Sequence, residues 1–148
     1  MAAAAFLSAA AGAASNPLVG TWRLENQEVD GQKSSAQQLT LKVTESGDQL
    51  AFAFSVPVHN VYFVSMSYTV RLDGSEGDVR NSNGEKVGTV EMSPAGAGQY
   101  KLRLKGPNRP DSTGKLIISA DGKTLTSETD SIGSSGRTIH SRQTFSRE

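Results

Sequence analysis

The chain has 148 residues, with 15 Lys+Arg against 15 Asp+Glu, 15 Gly, two His and no Cys. The missing Cys excludes a disulfide framework, thiol catalysis and thiolate-bound zinc or iron–sulfur centres. A formal net charge of zero argues against nucleic acid or acidic lipid as partner, because either needs a surplus of Lys and Arg on one face.

A chain of this length buries roughly two-thirds of its unfolded surface, so one core without crosslinks is expected. Residues 1–15, MAAAAFLSAAAGAAS, hold nine Ala, and the first basic residue is Arg23. The apolar run followed by Ala11-Gly12-Ala13 has the form of the hydrophobic region and small-residue cleavage site of a secretion signal, without the basic residues that usually precede them. The alternative is an Ala-rich helical tail, Ala being the best helix former. The run is shorter than the ~20 apolar residues of a membrane span, so no integral membrane association is expected. This segment is set apart from a domain at residues 16–148, expected to be secreted or periplasmic.

From Pro17 onward turn signals recur at short intervals, among them Asp30-Gly31, Ser46-Gly47-Asp48, Pro57 to Asn60, Asp73-Gly74, Asn83-Gly84, Gly106-Pro107-Asn108, Asp121-Gly122 and Gly133 to Gly136. Gly supplies positive φ, and Asp and Asn bond their own backbone; Asp-Gly and Asn-Gly between alternating segments mark hairpins. The segments between them alternate with period two. Leu39, Leu41 and Val43 form one stripe; Leu50, Phe52, Phe54 and Val56 form the next. Tyr62, Val64, Met66, Tyr68 and Val70 form the longest, and Tyr100, Leu102 and Leu104 a fourth. This is the pattern of antiparallel strands with one buried and one wet face. Val87 to Met92, Leu116 to Ser119 and Leu125 to Asp130 carry fewer apolar positions. No 3.6-residue period of ten residues or more follows the leader. The reading is all-β: a single antiparallel up-and-down β-barrel of about 8–10 strands, since closure removes the unpaired edges.

Leu18-Val19-Gly20-Thr21-Trp22-Arg23-Leu24 places Gly-x-Trp on the first strand, and Thr138 to Arg147 reads as the last strand. This resembles the calycin superfamily, that is, lipocalins, fatty-acid-binding proteins and lipocalin-like relatives. The resemblance implies that Trp22, beside Gly20, plugs one end of the barrel and that an Arg of the last strand, assigned to Arg142, packs over it. The two ends of the chain resemble a fatty-acid-binding protein most, with a terminal aromatic-x-Arg at Phe145 to Arg147. The middle departs from it. Only Glu25 to Gln38 lie where that family carries a helix–turn–helix lid, and Gln143 stands where it uses an Arg to grip a carboxylate.

Motifs for chemistry are sparse. Ser112-Thr113-Gly114-Lys115 fits Ser-x-x-Lys, but no helix is predicted to set its geometry. Glu128 and Asp130 are expected to be solvated on a polar hairpin. His59 falls in a turn, and His140 faces outward with Arg142 if Phe145 and Gln143 face in. Two scattered His do not make a zinc site, so no metal is expected. No cofactor is expected either, haem through His140 being the one candidate that the resemblance offers.

What remains is the interior. Phe52, Phe54, Tyr62, Met66, Tyr68, Tyr100, Leu102 and Phe145 point inward in one consistent register, with Gln143 among them, and these are the candidate ligand-binding residues. The leading expectation is a non-enzymatic barrel that binds a small apolar molecule. The alternative is a packed interior, with the protein acting through its surface as an interaction or envelope module. A third is an enzyme using Glu91, Gln143 or Tyr68. A connected interior volume of ~300 Å³ or more separates the first two.

Overall fold

Turn chemistry decides where the chain reverses. Asp30 and Gly31 have φ of 52° and 80°, and His59 and Asn60 have φ of 51° and 67°. Two consecutive left-handed residues give the turn whose twist matches that of the flanking strands. In the computed structural model the described residues are 16–34, 38–107 and 109–148; the Ala-rich segment 1–15 and its reading as a signal lie outside them.

Eleven strands follow in order: β1 (Gly20–Val29), β2 (Gln32–Lys33), β3 (Thr40–Ser46), β4 (Gln49–Val58), β5 (Val61–Arg71), β6 (Glu76–Asn81), β7 (Lys86–Gly96), β8 (Gln99–Gly106), β9 (Arg109–Ile118), β10 (Thr124–Ile132) and β11 (Thr138–Arg147). From β3 to β11 each strand pairs with the next, and β1 pairs with both β3 and β11. Ten strands therefore form a closed antiparallel barrel, and the two-residue β2 is a flap on the far half of β1. This is the up-and-down barrel that the hairpin pattern predicts. Among the described residues no helix is long and apolar enough to cross a membrane.

The half of the barrel near the starts of β1 and β4 is packed solid. Leu18, Trp22, Val43, Leu50, Val90 and Met92 are at most 2% exposed there. All of these but Leu18, which precedes β1, alternate with outward-facing residues along their strands, as period two requires. Trp22 is held by the segment before β1 and by β11: its indole N–H donates to the Leu18 carbonyl at 3.0 Å, and its Cα partner across the closing seam is Arg147.

Candidate ligand-binding site

Arg147 is the residue over Trp22. Its guanidinium carbon sits 4.1 Å from the ring centroid, and it donates to the carbonyls of Val19 (2.7 Å), Pro17 (2.8 Å) and Gly122 (2.8 Å). Gly20 makes room for it. A Cβ there would lie 2.4 Å from an Arg147 terminal nitrogen, and its φ of +146° is one that L side chains rarely adopt. The assignment to Arg142 is therefore corrected. Arg142 lies on the outer face, 3.8 Å from Glu128, because it is an odd number of residues from inward Phe145 along a regular strand.

Above this floor the barrel is hollow, with a cavity of about 330 Å³. Its walls include Phe52 and Phe54 of β4, Met66 and Tyr68 of β5 and Leu102 of β8. Gln143 and Phe145 of β11 complete the sequence-predicted set that meets in this space. Phe52 and Tyr68 stack, with ring centroids 4.8 Å apart and planes 21° from parallel. Burial pushes the Tyr68 hydroxyl above the ordinary tyrosine range, so it stays a neutral phenol.

Two predicted lining residues lie elsewhere. Tyr100 is buried in the packed half, its hydroxyl 3.4 Å from Asn16 Oδ1, and does not line the cavity. Tyr62 is 55% exposed. The single inward register fails at Ser65, an extra residue between the pairs Phe54↔Met66 and Ser55↔Val64. Such a bulge turns every side chain beyond it to the other face. Tyr62 then lies opposite Pro57 on a hairpin that overhangs the barrel with Val58, Val61, Phe63 and Val64 exposed.

Sequence reasoning missed a polar strip. Ser127 and Thr129 of β10 line the cavity beside Gln143, and Ser127 is Gln143's direct cross-strand partner. The Gln143 amide donates to Gln27 Oε1 at 3.2 Å. The alternation Leu125-x-Ser127-x-Thr129 carries the signal, but with a polar inner face it reads as a weak strand.

The other candidates sit outside the barrel. His140 is exposed, and its Nδ1 pairs with Asp130 on the outer face, away from the cavity that haem would need. Glu128 lies between Lys115 (3.7 Å) and Arg142. Glu91 faces out and meets Lys105 at 3.2 Å. Ser112 and Lys115 are part of strand β9, where the one-helical-turn geometry of Ser-x-x-Lys does not arise. Among the described residues no group of three or more His, Asp or Glu is placed to hold a metal.

Comparison with solved structures places this geometry. A zebrafish ileal bile acid-binding protein, solved in complex with cholic acid, superposes with a TM-score of 0.62 at 19% identity, over 90% of this chain and 100% of its own. The chain shares the fold of that barrel. An S-type phycobiliprotein lyase from Guillardia theta matches with a TM-score of 0.56 at 13% identity, over 89% of both chains. At these identities the likeness is one of fold. No protein-family model matches the chain, and no curated protein matches its sequence.

Proposed function

We propose that this calycin barrel is a non-covalent binding protein for a small apolar molecule held in its interior, working outside the cytoplasm if residues 1–15 act as an export signal. The observation that carries the reading is the 330 Å³ cavity. It falls within the range of about 300–1,000 Å³ typical of small-molecule sites, which are mostly apolar with a few placed polar groups. A barrel acting only through its surface is the weaker reading, since a void of this size forfeits the contacts that a filled core would make. The solved bile acid-binding protein supports a binding role for the same architecture. An enzymatic role has less support, because Glu91 lies on the outer face and the interior offers neutral groups.

Native mass spectrometry of protein purified from its own cells tests this directly. A co-purified small molecule is expected. An empty spectrum, together with no thermal shift across a panel of apolar compounds, would overturn the reading. N-terminal sequencing of the mature protein tests export: a start close to residue 14 is expected, and a retained Met1 would refute it.

A further inference from the structure

The cavity has a chemical polarity of its own. Its walls hold no Lys, Arg, His, Asp or Glu among the described residues, and Tyr68 is held as the neutral phenol by burial. On β5 the cavity's polar groups are the Tyr68 phenol and the Ser65 hydroxyl, which is already spent on the Phe54 carbonyl at 3.2 Å; the others form a strip on β10 and β11. Ser127 and Gln143 are cross-strand partners, and Thr129 follows two residues along the same face of β10. Phe54, Met66 and Leu104 stand on other strands of the wall and are apolar. Gln143 is also braced. Its amide donates to Gln27, which commits one proton and leaves the carbonyl oxygen free to accept from a guest.

Resting on the binding reading above, we propose that the guest is a neutral amphipath: an uncharged apolar body bearing one hydrogen-bonding head, such as a hydroxyl or amide, with the head against Gln143, Ser127 and Thr129. A carboxylate or ammonium would enter a space with no opposite charge. Burying an unpaired ion costs far more than burying a neutral polar head, which the strip can satisfy by hydrogen bonds. An entirely apolar guest would in turn leave the strip's groups unpaired. The size is bounded too. A cavity of about 330 Å³ lies at the small end of the ~300–1,000 Å³ range of small-molecule sites.

The test uses the whole chain and a neutral fluorophore, N-phenyl-1-naphthylamine, displaced by 1-decanol, decanamide and decanoate at pH 8. Decanol and decanamide are expected to displace it at concentrations at least about tenfold lower than decanoate. Decanoate should gain affinity as pH falls and its carboxyl becomes neutral. Gln143→Leu should weaken decanamide more than the fluorophore, and Gln143→Arg should turn the preference toward decanoate. Decanoate competing as well as decanol at pH 8 would overturn the neutral-guest inference and leave the binding reading standing. A fluorophore that never binds, with no thermal shift from any of the three competitors, would overturn the binding reading itself.

Discussion

Arg147 lies over the ring of Trp22 at 4.1 Å, and the two are direct partners across the seam where β1 meets β11. One contact thus joins the two ends of the domain, plugs one end of the barrel and uses the side-chain space that Gly20 leaves empty. The guanidinium ties three loop carbonyls together, so it acts as a clamp on the floor of the cavity.

Removing that clamp should be costly. Arg147→Ala loses charge-assisted hydrogen bonds and a cation–π contact, and is expected to lower the unfolding free energy by about 2 kcal/mol. Gly20→Ala introduces both a clash and backbone strain, and should cost about 1–3 kcal/mol. Because the clash is with Arg147 itself, the double variant should cost less than the sum of the two. Arg142→Ala, which loses one exposed ion pair, should change stability by no more than about 0.5 kcal/mol. Urea unfolding at pH 7 reads all four. Equal losses at positions 142 and 147 would contradict the assignment.

Tyr68 predicts an alkaline limit. Burial raises its folded-state pKa above the unfolded value, which is about 10. A raised pKa contributes stability that is fully present below pH 10 and is lost as pH climbs from there toward the folded value, at about 1.4 kcal/mol per pH unit. Tyr68→Phe should flatten the fall in unfolding free energy between pH 10 and the folded value. An identical alkaline slope in wild type and variant would refute this.

Two turn carboxylates act at the other extreme. The Ser119 hydroxyl and then the Lys123 backbone N–H hold Asp121 below the ordinary carboxylate range, and Ser75 does the same for Asp73. Depressed carboxyl pKa values contribute stability above the unfolded value and lose it as pH falls through the folded one. Asp121→Asn combined with Asp73→Asn should make the acid limb of the stability curve below about pH 4 shallower. Thermal melts from pH 2 to 5 are the measurement.

The bulge at Ser65 keeps Tyr62 of β5 away from the cavity that Phe54 of β4 lines, although the sequence predicts both to face inward. Phe54→Ala should weaken binding of the neutral fluorophore by about fivefold or more, since Phe54 is a half-buried aromatic wall of the cavity. Tyr62→Ala should leave it within about twofold. A loss at Tyr62 as large as that at Phe54 would mean that the overhanging hairpin folds over the cavity.

Strand count, barrel closure and most of the lining aromatics follow from period-two alternation and turn residues, because each hairpin announces itself over a few positions. What stayed hidden depends on partners far away in the chain. Arg147 is distinguished from Arg142 by its register against Trp22, a relationship across 125 residues in the pairing Trp22↔Arg147. Tyr62 is misplaced because a bulge leaves no mark in the alternation of a strand rich in apolar residues on both faces. Ser127 and Thr129 escape because a strand that lines a polar wall lacks the apolar stripe by which inner faces are recognised.

Closure by β1 against β11 also sets a time order. No barrel can exist until residues 138–147 have been synthesised and have found a strand made near the start, so the growing polypeptide carries an unsealed sheet with two bare edges. Pairing between such distant segments is intrinsically slow. A barrel that closes only with β11 stays threadable until that strand has been made, and removing β11 should leave an aggregating sheet with no smaller barrel to fall back on.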